Sequence, residues 1–152
     1  MKPLPDEIQK KMNHFKDVLR RSGAKLTHQR MEVFREVALT AEHPDAETVW
    51  QGVRERVPSV SLDTVYRTLL LLLDLELITS LRPTRERMRF DANMSSHHHF
   101  MCRQCGTICD FYSPEFDALT IPKAVKALGN IERTRVELRG LCSRCSKSKR
   151  GK

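Results

Sequence analysis

Residues 61–77, SLDTVYRTLLLLLDLEL, decide the fold. Ser61 is a good helix N-cap, and the segment behind it divides in two. Its first half carries Asp63, Thr64 and Arg67, whereas its second half is almost wholly apolar. A helix built this way presents one end and buries the other.

Upstream, Ile8, Met12, Phe15, Val18 and Leu19 fall at helical spacing between about Asp6 and Ser22, and Gly23 supplies a stop. Thr27 caps a second helix, HQRMEVFREVAL, whose Met31, Phe34, Val37 and Ala38 or Leu39 share a face. Asp45 caps a third, with Val49, Trp50, Val53 and Val57 on the buried side and Pro58 as the boundary. Downstream of the quoted helix, LITSL and RMRFDA are strand-like runs around the charged turn RPTRE. Helices followed by a basic hairpin predict a winged helix-turn-helix over residues 1–92.

Composition changes at NMSS, residues 93–96, which is taken as a hinge. Beyond it the sequence predicts strands around residues 98–102 and 107–111 and a helical region over 114–128 broken by Pro122. A strand near 132–139 follows, in which Val136 and Leu138 alternate with charged residues. Residues 97–146 thus form a small α/β domain, and the basic end of the chain, residues 147–152, reads as a flexible tail. The fold class is α+β.

The 152 residues are 39% hydrophobic and 30% charged, as in a globular protein, and the longest apolar run, Leu69–Leu73, is too short to cross a membrane. MKPLPDEIQKKM lacks the apolar core of a signal peptide, so a cytoplasmic location is expected. There, closely spaced cysteines hold metal more readily than they form disulfides. A net charge of +8 and a pI near 9.5 suit a polyanionic partner such as nucleic acid, and equally a merely basic surface.

All five cysteines lie in the second half. Cys102-x-x-Cys105 and Cys142-x-x-Cys145 each offer two thiolates from a tight turn, together a tetrahedral sulfur set suited to structural zinc. Such a closed site serves folding rather than hydrolysis. Rubredoxin-like iron for electron transfer, or two unrelated cysteine pairs, would use the same residues.

Interleaved with them stands SHHHFMCRQCGTICD, residues 96–110. In an extended strand His97 and His99 point together and His98 away. Asp91 and Asp110 flank them, and mixed nitrogen and oxygen ligands suit iron(II) or manganese(II). A solvated histidine run with surface aspartates has the same sequence, as does a hydrolytic metal centre, although no substrate-positioning motif accompanies it. By itself His43 reads as a loop or capping residue, His14 and His28 as ordinary helix residues, and Cys109 as a small buried hydrophobe with a redox role left open.

Taken in order, GAKLTHQR, HPDAETV, SLDTVYRTL, RFD, HHHFMCRQCGTICDF and LCSRC resemble the ferric uptake regulator (Fur) family over residues 14–146, most like its peroxide-responsive PerR type. The resemblance implies a homodimeric repressor of palindromic operator DNA, with a winged helix followed by a dimerisation domain, and no turnover activity. It makes Cys102, Cys105, Cys142 and Cys145 ligands of structural Zn(2+). It makes His43, Asp91, His97, His99 and Asp110 ligands of regulatory Fe(2+) or Mn(2+). It assigns DNA contact to Ser61, Thr64, Tyr66 and Arg67, with Arg82, Arg85, Arg87 and Arg89 of the wing adding backbone attraction. Aspartates at 91 and 110 look like the peroxide-sensing pattern, in which iron-catalysed oxidation of His43 or His97 releases the DNA; a sensor of iron or manganese supply is the nearest alternative. His28, Pro122, His98 and Cys109 depart from the usual pattern. No histidine follows His99, so at most two metals per subunit are expected.

Overall fold

The computed structural model describes residues 4–82 and 87–149. The chain divides into two compact units, Met1–Met94 and Ser95–Lys152.

In the first unit, α1 (Pro5–Ser22), α2 (His28–Ala38), α3 (Ala46–Arg54) and α4 (Leu62–Asp74) precede a two-stranded antiparallel sheet, β1 (Thr79–Leu81) and β2 (Arg89–Asp91). The anticipated caps are in place: Thr27, Asp45 and Ser61 accept from the amides of Arg30, Thr48 and Thr64. Gly23, at φ 74°, closes α1 in the left-handed conformation that glycine adopts without strain. Phe15 and Phe34 stack with centroids 4.7 Å apart, and Leu19, Val33, Val49, Val65, Leu69 and Leu72 complete a fully buried centre. At ~25 cal/mol per Å2 each such side chain contributes roughly 1.5–3 kcal/mol. This core gives the winged helix its rigidity.

The apolar pattern of α4 runs to Leu77, but the helix ends at Asp74. Glu76 takes φ 53°, its amide bonds Leu73, and the Leu77 amide returns to the Leu72 carbonyl at 2.9 Å. This is a Schellman closure, and it frees Leu77 and Ile78 to enter the core from the hairpin. The hairpin pairs Thr79 with Asp91 and Leu81 with Arg89. Most of the RPTRE turn, Arg85 included, lies outside the described residues.

In the second unit the sheet order is β4 (Ile108–Phe111), β3 (His98–Cys102), β5 (Glu137–Gly140), with β3 antiparallel to β4 and parallel to β5. Two single-turn helices, α5 (Pro114–Asp117) and α6 (Lys123–Lys126), lie on either side of Pro122. β5 is shorter than its alternating sequence predicts. Just ahead of it the Val136 amide donates to the His98 imidazole Nδ1 at 3.2 Å, while the Val136 carbonyl accepts the His99 amide at 3.0 Å, and the paired residues run from Glu137 to Gly140. The last described element, α7 (Ser143–Lys149), reaches residues 147–149 of the basic end and is started by the turn in which the Ser146 amide bonds the Cys142 carbonyl; the rest of the expected tail lies outside the described residues.

Candidate metal centres

The parallel register of β3 and β5 pairs Cys102 with Gly140, which brings Cys142 beside the end of β3. Cys105 comes from a tight turn in which the Gly106 amide bonds the Cys102 carbonyl at 2.9 Å, with Gly106 at φ 68°. Cys145 follows on α7. All four Sγ atoms lie within 4.8 Å of one another, and Cys105 and Cys142 are 3.8 Å apart. A tetrahedral ion with metal–sulfur bonds of about 2.3 Å has sulfur–sulfur edges of about 3.8 Å, so the cluster has the size of such a site.

The thiols differ in acidity. The hydroxyl and amide of Thr107 draw Cys105 down to about 5. Burial and the neighbouring sulfurs push Cys145 up to about 12. Backbone amides of Cys105 and Cys142 lower Cys102. Four thiolates crowd together only when a cation compensates them. Thr107, 3.2 Å from Cys105 Sγ, and Arg144, whose side chain bonds Cys105, surround the site and were not visible in the Cys-x-x-Cys spacing.

The second cluster of this unit begins one residue before β3. The Nδ1 of His97 bonds the Ser95 carbonyl at 2.8 Å, an arrangement that protonates Nδ1 in the neutral ring and leaves the Nε2 lone pair for a ligand. That Nε2 is 3.0 Å from His99 Nε2, and Asp110 Oδ1 is 3.4 Å from His99 Nε2 and 3.9 Å from His97 Nε2. The antiparallel register, His99 opposite Asp110, creates this triad. Adjacent ligands of a six-coordinate ion with bonds near 2.1 Å are about 3.0 Å apart, and two histidines with one carboxylate suit iron(II) with positions left open. His98 faces the other way: its ring packs against Phe111 and Phe116, and its Nε2 is 3.5 Å from Asp117 Oδ1.

In the first unit, His43 Nε2 stands 3.9 Å from Asp91 Oδ2, and the other Asp91 oxygen accepts the Asn93 amide at 2.7 Å. His43 has φ 51°, a left-handed conformation that costs a side-chain-bearing residue about 1–2 kcal/mol. The Phe90 amide donates to the Pro44 carbonyl at 2.9 Å and Asp45 bridges Arg89, so the α2–α3 loop is held along β2.

Of the four residues assigned to DNA contact, Ser61 and Thr64 are engaged in the α4 cap, their hydroxyls 2.9 Å apart. Tyr66 is 44% exposed, and Arg67 pairs with Asp63 at 2.9 Å on an open face where such pairs are weak. In the wing, Arg82 is exposed, Arg87 pairs with Glu47 and Asp45, and Arg89 is half-buried with its guanidinium turned toward the His43 carbonyl.

A winged helix with a presented fourth helix, carried in one chain with a unit rich in sulfur and imidazole ligands, defines a metal-binding protein of the DNA-binding class. Residues 21–139 match the Ferric uptake regulator family, and the chain belongs to that family. It is 29% identical over 127 residues to the peroxide-responsive repressor PerR of Staphylococcus epidermidis, covering 84% of this chain and 85% of that protein. Among solved structures it is similar to the Helicobacter pylori ferric uptake regulator Fur, described as having three functional metal-binding sites (TM-score 0.75, 21% identity, 91% and 93% of the two chains). It is also similar to a zinc-bound manganese uptake regulator (TM-score 0.63, 28% identity, 84% and 97%). The protein is therefore a metal-binding transcriptional regulator and not an enzyme. No helix among the described residues is long and apolar enough to cross a membrane.

Proposed function

We propose that the protein is a repressor that holds palindromic operator DNA while its regulatory site is loaded with iron(II) or manganese(II), and that peroxide inactivates the iron form to derepress defence genes. The observation that carries this reading is the convergence of His97, His99 and Asp110 at 3.0–3.9 Å, an open nitrogen and oxygen donor set. The family resemblance adds His43 and Asp91, 3.9 Å apart in the winged unit, to the proposed ligand set. One ion drawing ligands from both units favours the arrangement of the units that it binds more tightly, and so couples metal to DNA.

Cys102, Cys105, Cys142 and Cys145 hold structural zinc, for which a complete sulfur shell is suited. The second unit has few buried apolar side chains and exposes Tyr112, Leu119, Val125, Leu128 and Leu138, the last on edge strand β5; this surface suits a homodimer. Dimerisation sets two copies of α4 for two half-sites, with Ser61, Thr64, Tyr66 and Arg67 toward the DNA.

Iron(II), when bound, supplies the redox chemistry by which peroxide oxidises a ligand imidazole. The chain's part is to hold His43 and His97 beside the ion. The test is peptide-mapping mass spectrometry after anaerobic iron(II) loading and a small excess of hydrogen peroxide, with a manganese(II) control. One added oxygen on His43 or on residues 97–99, in the iron sample alone, is expected. Intact histidines with iron bound would instead favour a metal-supply regulator, a reading that the 28% identity to a manganese uptake regulator also supports.

A further inference from the structure

The wing hairpin contains an arginine that does not behave as a surface charge. Arg82 and Arg87 are exposed, but Arg89 is half-buried, and its Nη1 donates to the His43 carbonyl at 3.4 Å. Side chains two apart on a strand share a face, so Arg89 and Asp91 project together from β2. Between them lies His43: Arg89 meets its carbonyl and Asp91 its imidazole, with Nε2 and Oδ2 3.9 Å apart. The intervening Phe90 donates its amide to Pro44 at 2.9 Å and buries its ring in the core. A histidine at φ 51° has no intrinsic preference for that backbone, so these contacts select it.

We propose that Arg89 is a positioning residue of the regulatory metal site, fixing the His43 backbone so that the imidazole is presented toward Asp91. The inference rests on the reading of His43 and Asp91 as metal ligands. It also removes Arg89 from the set of DNA phosphate contacts, to which its place in a basic hairpin would assign it.

The experiment uses the full-length zinc-loaded protein. Manganese(II) affinity is measured by electron paramagnetic resonance for wild type, Arg89→Gln, Arg89→Lys and His43→Ala. Affinity for a duplex selected by the manganese-loaded wild type is then measured at saturating manganese over a range of salt. Loss of a residue that orients a ligand weakens metal binding about 10–100-fold. Arg89→Gln is expected at the lower end of that range, with Arg89→Lys recovering much of the loss because one N–H donor suffices. At saturating metal, duplex affinity and its salt slope are expected to match wild type. Arg89→Met, which keeps the aliphatic stem, replaces the glutamine variant if that variant does not fold.

Wild-type manganese affinity in the Arg89 variants, alongside a loss in His43→Ala, would overturn the positioning role and leave the ligand reading intact. A drop in duplex affinity at saturating manganese, with a salt slope lower by about one, would overturn it in favour of a phosphate contact. Wild-type manganese affinity in His43→Ala would defeat the ligand reading itself, and the inference with it.

Discussion

Cys105 Sγ lies 3.8 Å from Cys142 Sγ although 37 residues separate them in the chain. The contact joins the turn after β3 to the start of α7, so an ion held there would tie the end of the second unit to its middle. Few apolar side chains do this work otherwise: Met101 and Ile108 are among the few that are buried there. Cys142→Ser is therefore expected to reduce zinc from one equivalent per chain to below about a tenth, and to abolish the cooperative unfolding of this unit while α1–α4 remain helical. Elemental analysis with circular dichroism of the full-length variant checks both outcomes.

Zinc affinity should rise with pH. Cys145 is pushed up to about 12, so before metal binds it carries a proton at pH 7, whereas Cys105, drawn down to about 5, is already ionised. Binding releases the Cys145 proton, and a reaction that releases protons is favoured as pH increases. Chelator competition between pH 6 and 8 should show at least one proton lost per zinc bound. An affinity independent of pH over that window would contradict the assignment of acidities.

The helices were legible because their signals are local. Thr27, Asp45 and Ser61 each accept the predicted cap bond, and the core side chains repeat at helical spacing. What the sequence left hidden depends on contacts distant in the chain. Just before β5 the Val136 amide goes to the imidazole of His98, 38 residues away. The inward turn of Arg89 follows from a loop 46 residues earlier. The triad of His97, His99 and Asp110 was half legible: strand alternation pairs the histidines, but the register that brings Asp110 opposite His99 needed the fold. Charge composition marked a basic hairpin without distinguishing arginines that pair internally from those left to solvent.

Glu32 is 4% exposed and meets two arginines, Arg56 across to the end of α3 and Arg35 one turn along at 3.2 Å. Arg56 also reaches Glu36. Removing one partner of a fully buried pair costs about 3–5 kcal/mol, and because Arg56 is about one-third exposed the cost here is smaller, about 2 kcal/mol for Glu32→Ala. Urea denaturation followed by helical signal should register that loss with metal affinity at the sulfur site unchanged.

Asp110→Asn tests the open site through its charge. The variant keeps an oxygen near His99 Nε2, now 3.4 Å from the carboxylate, while removing the negative charge that a divalent ion requires. Manganese affinity is expected to fall at least tenfold, and duplex affinity should fall at low manganese but recover when the metal is raised. Failure to recover at high manganese would place Asp110 in the fold or the dimer rather than in the regulatory site.

Arg67 projects from the presented half of α4, and in the free protein its guanidinium pairs with Asp63 at 2.9 Å. Both side chains are largely exposed, so the pair is weak and DNA can displace it. If Arg67 reads a base edge, Arg67→Ala should cost about 1–3 kcal/mol on the selected duplex and relax preference at one position of each half-site. If it meets only phosphate, affinity should fall alike on all sequences and the salt slope should shrink by about one per subunit. Asp63→Asn separates the pair from the contact: releasing Arg67 should strengthen binding slightly, whereas weaker binding would mean that Asp63 itself orients the guanidinium on the DNA.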